Sequence, residues 1–193
     1  MAEPVPGSRQ QIVAGAADMI RRRGLHATSV REVAKHGRTP LGSTYHYFPG
    51  GKQQLAAEAV AHAGETVARA LGAALDAGPA AGLRAFLALW RDVLTGSDFR
   101  AGCPVLAVAI EEPPDDASTV LEAAARAFAS WESLLADSLR GHGVVDGKAT
   151  QLATLIVAAV EGATAMCRAH RSTAPLDHIA EELEELVHAA LPT

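Results

Sequence analysis

Three groups of residues in this chain have types and spacings that could do chemistry. Tyr45, His46 and Tyr47 stand in an unbroken row, followed by Phe48, a Pro-Gly-Gly and Lys52. Phenol, imidazole and ammonium groups are donors that grip phosphate oxygens. Cys167 and His170 lie three apart, and with the distant Cys103 they are soft ligands for a metal or a thiol sensor. Ser133, Asp137 and His142 lie near one another and carry the three functions of a hydrolase triad. The last two groups are incomplete. Two ligands on one helix do not close a metal shell, and nothing around Ser133 supplies a nucleophile turn or an oxyanion hole. We therefore expect no catalytic residues, no bound metal and no cofactor, and the phosphate chemistry remains.

The elements that must position the Tyr-His-Tyr row can be read from periodicity and breakers. Ile12, Ala16, Met19 and Ile20 lie on one face of a first helix, which Ser8 can cap and Gly24 stops. Its last turn holds Arg21, Arg22 and Arg23, where the helix dipole favours cations. Ser29-Val30-Arg31-Glu32 is a capping box for a second helix, which Gly37 ends. Thr39 is the expected N-cap of a third, with Pro40 in its first turn. That helix must end near Phe48, because Pro49-Gly50-Gly51 cannot continue it. Two short helices joined by a tight turn behind a longer one make a helix-turn-helix head. Phe48 should turn inward. Tyr45, His46 and Tyr47 point in different directions, so at least two face outward. Tyr45 can alternatively pack on Phe48, three positions away.

Composition and charge bound the rest. The 193 residues are 49% hydrophobic and only 4% aromatic, enough for a buried helical core rich in Ala and Leu. No run approaches the ~18 uninterrupted apolar residues of a membrane span, and no signal-peptide pattern opens the chain. Two cysteines far apart give no disulfide framework, so reduced thiols in a cytoplasmic protein are expected. Residues 1–52 hold eight Lys or Arg against three Asp or Glu, while the remainder holds nine against 19. A basic head on an acidic body points to a polyanionic partner for the head alone.

The stretch "TSVREVAKHGRTPLGSTYHYFPGGKQQL" resembles the DNA-binding head of the TetR/AcrR family of bacterial repressors. "FPGGK" and the later "GCPVLAVAIE" resemble its LmrA/YxaF-like branch. The resemblance implies an all-α homodimer with a three-helix DNA-binding head, residues 1–52, and a larger helical body, 53–193, for ligand binding and dimerisation. It implies a cytoplasmic repressor that leaves a palindromic operator when a small molecule enters the body, with no membrane partner. Position by position, Ser29 matches the cap of the second helix and Arg31 a DNA-contacting position. Gly42 and Ser43 match the turn that meets base edges. Tyr45, His46 and Tyr47 match the aromatic contacts, and Lys52 the phosphate clamp. The chain departs from the pattern in three places. Gly37 falls one place early and Arg38 stands where the turn glycine is usual; Leu41 replaces a common Lys; Thr44 replaces an apolar core residue. The third helix therefore has no Arg, Lys, Asn or Gln to read a base edge bidentately. Arg31, backbone fit and thymine methyl contacts are expected to take over that task, with Arg38 replacing the missing cation.

Beyond the head, later helices are expected near 52–75, 86–96, 120–139, 149–169 and 176–191, with a short one inside "GCPVLAVAIEEPPDD". Phe86, Trp90, Cys103, Phe128, Trp131, Met166 and Cys167 are the candidate pocket lining, with Glu161 as a polar anchor. Ordinary core packing is the competing account for each. Leu152, Leu155, Ile156, Ala159 and Ala163, with Ile179, Leu183, Leu186 and Val187, form two apolar stripes. A two-fold four-helix bundle would bury them. A second function class stays open at this point: a helical small-molecule binder or enzyme whose basic head does not bind DNA specifically.

Overall fold

The computed structural model describes residues 9–112 and 118–192; Ser8, the expected first cap, lies outside them. Its elements are α1 (Arg9–Arg23), α2 (Val30–His36), α3 (Leu41–Tyr47), α4 (Gly51–Leu75), α5 (Pro79–Gly96), α6 (Pro104–Ala109), α7 (Ser118–Gly141), α8 (Asp146–His170) and α9 (Ala174–Ala190). No strand occurs among the described residues. The all-α expectation holds: Ala- and Leu-rich segments form the long helices α4, α5, α7 and α8, and Gly or Pro lies in most of the connections.

Two compact units arise. One comprises Met1–Glu65 with Cys103–Ala127, the other Thr66–Gly102 with Phe128–Thr193. The unit holding the head thus extends beyond residues 1–52: it takes in α6, which packs against α1. Within it α1, α2 and α3 pack on one another. Ile12, Ile20, Val33 and Phe48 are fully buried.

Local chemistry explains the short helices. Ser29 caps α2: its Oγ accepts from the Glu32 N–H at 3.2 Å and donates to the Glu32 carboxylate at 2.9 Å. At α3 the expectation needs correction. The N-cap is Pro40, with no side-chain cap, and the Thr39 hydroxyl turns back to the Ala34 carbonyl at 3.4 Å. The turn also differs from a glycine hinge: Gly37 keeps φ −77°, and Arg38 takes the left-handed conformation at φ 51°.

In the second unit α5, α8 and α9 pack together. Phe86 and Trp90 of α5 meet Trp131 of α7, with ring centroids 5.9 and 6.4 Å apart, and Phe128 lies 5.5 Å from Trp131. These edge-to-face contacts suit the ring quadrupoles. On α5 and α9 Arg91 pairs with Asp177, and Arg84 with Glu184 at 3.5 Å.

Candidate nucleic-acid interface

The inward face of α3 is small. Thr44 and Phe48 have no exposed surface. Thr44 takes the place of an apolar residue without leaving a buried hydroxyl unsatisfied, since its Oγ1 donates to the Pro40 carbonyl one turn back at 3.4 Å. The Arg9 guanidinium lies over the Phe48 ring at 5.2 Å. With these two residues inward, the geometry of a helix turns the rest of the row out. Tyr45 is 54% exposed and Tyr47 38%, and His46 is exposed beside Tyr47, ring centroids 5.6 Å apart. Tyr45 therefore does not take the packed alternative on Phe48. Gly42 is exposed, with nothing within 4 Å of a Cβ built there, and Ser43 is half-buried. The first turn of α3 is an open surface on which a duplex groove can approach the backbone.

The cations around this face fall into two kinds. Arg21 and Arg22, expected to complement the dipole of α1, are tied to Asp18, which accepts from Arg21 Nε at 2.8 Å and Arg22 Nε at 3.0 Å. His36 Nε2 lies 2.9 Å from the same carboxylate. Burial pushes the Asp18 carboxyl up, but the two arginines outweigh it and hold it below its ordinary value. Arg31 and Arg38 are exposed and form no ion pair among the described residues. Lys52, in the first turn of α4, donates from Nζ to the His26 carbonyl at 3.3 Å. Among the described residues of the head, Arg31, Lys35, Arg38 and Lys52 make no ion pair, and Arg38 and Lys52 lie on either side of α3. The ties of Asp18 to Arg21 and Arg22, though not to His36, were legible as i,i+3 and i,i+4 spacings.

Comparison with known proteins decides the family. Residues 12–59 match the tetR family of bacterial regulatory proteins, and residues 79–182, more than half of the chain, match the C-terminal domain of LmrA/YxaF-like transcriptional regulators. An uncharacterized HTH-type transcriptional regulator of Mycobacterium tuberculosis (strain CDC 1551 / Oshkosh) is 40% identical over 96% of this chain and 97% of its own. The uncharacterized HTH-type regulator YxaF of Bacillus subtilis (strain 168) is 31% identical over 93% and 95%. The chain belongs to the tetR family. Among solved structures, a cysteine-substituted CifR, a TetR family regulator complexed with 26 bp operator DNA, matches with a TM-score of 0.78 at 21% identity, covering 99% of this chain and 100% of its own. That likeness speaks for the fold.

As a tetR-family protein the chain is a helix-turn-helix transcriptional regulator and not an enzyme. Of the triad candidates, Asp137 accepts from Arg140 at 2.7 Å, and His142 Nδ1 lies 2.8 Å from the Ser138 carbonyl. Among the described residues no three His, Cys, Asp or Glu side chains gather as metal ligands.

The candidate pocket lining divides. Phe86, Trp90, Trp131 and Cys167 are buried, Phe128 is half-buried, and Glu161 is buried on α8 with Thr164 one turn on. Burial raises the Cys167 thiol above its ordinary value, against a backbone hydrogen bond at Leu176 and the Arg91 charge. It is held as a thiol, the unreactive form. Met166 does not join this group: one residue before Cys167, it points about 100° away and is 52% exposed. Cys103 belongs to the other unit, where its Sγ accepts from the Leu106 N–H at the start of α6.

The two apolar stripes also divide. Leu152, Ile156, Ala163, Leu183 and Val187 are buried within the chain itself, since α8 and α9 pack against each other. Ala159 and Ile179 are half-buried, and Leu155 and Leu186 are exposed. The outward face of α8 includes Leu155, Ala158, Gly162 and Met166, with Gln151, Thr154 and Ala165 also exposed. Among the described residues α8 alone is long and apolar enough to cross a membrane, and half of its most apolar window is buried in the fold.

Proposed function

We propose that this regulator is a homodimeric repressor that binds a palindromic operator through α3 and its flanks and leaves it when a small molecule enters the body. The supporting observation is the division of α3: Thr44 and Phe48 inward, the polar-tipped Tyr45, His46 and Tyr47 outward. Phenol and imidazole groups at the exit of a recognition helix suit phosphate oxygens. Ser29, at the start of α2, and the open turn at Gly42 and Ser43 bring backbone and hydroxyl to the groove. Arg31 and Arg38 supply guanidinium groups, the strongest readers of guanine edges, and Lys52 adds a phosphate contact. The operator-bound CifR structure, similar in fold, supports this reading.

For the body we propose the aromatic cluster of Phe86, Trp90, Phe128 and Trp131, with Glu161 and Cys167, as the ligand-responsive core. The Trp90 Nε1–H is buried and makes no hydrogen bond, so a ligand acceptor there would remove an uncompensated cost. For the dimer we propose the outward face of α8 together with Leu186 of α9. Large aliphatic side chains on a helix surface favour another apolar surface. Ala158 and Gly162 let two helices approach closely. Two copies related by a two-fold axis would hold the heads about one DNA turn apart, as a palindrome requires. A regulator that acts on chromosomal DNA would work in the cytoplasm, and we propose that location.

The test is selection of bound fragments from genomic DNA with the purified protein, followed by anisotropy titration on the selected duplex and a scrambled one. Palindromic enrichment, with affinity falling linearly in log salt, is the expected result. Equal affinity for both duplexes would sink the reading and restore the alternative of a small-molecule binder with a merely basic head.

A further inference from the structure

Glu111 closes the segment "GCPVLAVAIE", and neither the DNA contacts nor the ligand core makes use of it. It follows the C-cap of α6, Ile110, and belongs to the same unit as the head. Its carboxylate fills the corner between α1 and α2. Oε1 accepts the Leu25 N–H at 2.7 Å, Oε2 accepts the His26 N–H at 2.8 Å, and the His26 ring Nδ1 lies 2.7 Å from Oε2. Successive backbone N–H groups converging on one point form a small anion nest, here occupied by a side chain 86 residues away in sequence. Gly24 makes room for it. Gly24 stands at φ +82°, and a Cβ there would fall 2.1 Å from Glu111 Oε1.

The next link is the His26 carbonyl, which accepts from Lys52 Nζ at 3.3 Å. His26 is thus held from one side by Glu111 and holds Lys52 on the other. A lysine has four rotatable bonds and loses side-chain entropy when it is fixed. A carbonyl whose own residue is pinned by charge-assisted hydrogen bonds lowers that cost at the moment of DNA contact.

We propose that Glu111 is a positioning residue for DNA binding: by pinning His26 it sets where the Lys52 ammonium stands for a backbone phosphate. The inference rests on reading Lys52 as a phosphate contact. It assigns a DNA-binding role to a carboxylate outside the helix-turn-helix, one whose charge by itself opposes a polyanion.

The test is a double-mutant cycle on the selected operator duplex, read by anisotropy across a salt series. The full-length wild type, Glu111→Ala, Lys52→Ala and the double variant are compared. Glu111→Ala is expected to weaken binding about tenfold and to reduce the salt slope by about one unit, as loss of one phosphate contact does. Lys52→Ala should do the same, and in the double variant the second change should add less than about twofold. Glu111→Gln, which keeps one acceptor oxygen, should fall between wild type and Glu111→Ala, and it replaces the alanine variant in the cycle if that variant does not fold. A purely structural role would lower the melting temperature with the salt slope at the wild-type value and the two substitutions additive, and that result overturns the proposal. If Lys52→Ala leaves the slope unchanged, the phosphate reading of Lys52 fails and the proposal falls with it. If Lys52→Ala lowers the slope and Glu111→Ala does not, the role of Glu111 alone is refuted.

Discussion

α3 and α8 both depart from the rule of apolar inside and polar outside, and they differ in the chemistry of what they expose. α3 buries a threonine and exposes aromatic residues with polar tips. α8 buries Glu161 and Thr164 and exposes Leu155 and Met166. The inner polar groups are accommodated locally in part: the hydroxyls of Thr44 and Thr164 each donate to a carbonyl one turn back. The outer groups differ in what they can meet. A tyrosine or histidine ring offers both a stacking face and a hydrogen bond, which suits a wet, charged groove. A leucine or methionine offers only area, which suits another apolar surface. The chemistry of exposed side chains, more than their mere exposure, separates a nucleic-acid face from a protein face.

The largest expected effect tests the α8 half of that contrast. Leu155→Glu combined with Leu186→Glu should give monomers by sedimentation velocity. Operator affinity should fall roughly 10²–10⁴-fold, the usual loss when two linked binding events are uncoupled. Both residues are exposed, so each protomer should still fold cooperatively, with its melting temperature lowered only by the loss of dimer coupling. A dimer that persists would separate the outward face of α8 from assembly. Leu183→Glu is a control of a different kind, because Leu183 is buried within the chain and a charge there should unfold the protomer.

The α3 half predicts a smaller effect. Arg31→Ala should cost roughly 1–3 kcal/mol on the selected operator and far less on scrambled DNA, as loss of a base-edge contact does. Equal losses on both duplexes would make Arg31 a phosphate contact.

What the sequence made legible follows the same contrast. The head was readable because each signal there is local. The S-x-x-E box fixes the start of α2, and consecutive side chains of α3 diverge, so Phe48 inward means at least two of the row outward, with Tyr45 left open. The inward face of α8 was not, since from Leu152 to Val160 every position but Thr154 is apolar and periodicity loses its contrast. Leu152 and Ile156 could not be told from Leu155. Thr39 failed as a cap because the helix begins one residue later, with Pro40 in the cap position, and its hydroxyl turns back to the Ala34 carbonyl. The contact between Glu111 and the α1–α2 corner spans 86 residues, a distance at which no spacing rule applies.

Acid should act on the first unit through two carboxylates. Burial raises Glu111, but hydrogen bonds from the His26 ring and from the His26 and Leu25 N–H groups outweigh it, so its folded value lies below the ordinary one. Asp18 is depressed in the same way by its arginines. A depressed carboxyl stabilises the fold at all pH values above its unfolded value. That contribution is lost as pH falls through the folded value, so melting temperatures should hold from pH 7 to about 5 and drop below about 4. Asp18→Asn and Glu111→Gln should be less stable at pH 7 and show a shallower acid dependence. A parallel pH profile in both variants would assign acid sensitivity elsewhere, for instance to Asp177 in the second unit, which Arg91 depresses.

The smallest effect concerns the turn that presents α3. Arg38 holds φ 51°, a conformation that costs a residue with a Cβ about 1–2 kcal/mol and costs glycine little. Arg38→Gly removes that strain but also loosens the unfolded chain, which offsets about 0.4–1 kcal/mol. The net gain should be up to about 1 kcal/mol, or roughly 2–4 °C in melting temperature for a chain of this size. Arg38→Asn, whose short side chain tolerates the left-handed region, avoids the loss through the unfolded state. It should raise the melting temperature by a similar amount. DNA binding should move the other way. If Arg38 supplies the cation missing from α3, both variants should bind the operator more weakly and with a salt slope lower by about one unit. A more stable protein with weaker, less salt-dependent binding would show that strain in the turn is kept for the charge it carries to DNA. Higher stability with unchanged binding would make Arg38 a structural departure from the glycine usual at this position, and would leave Arg31 alone to supply a guanidinium to base edges.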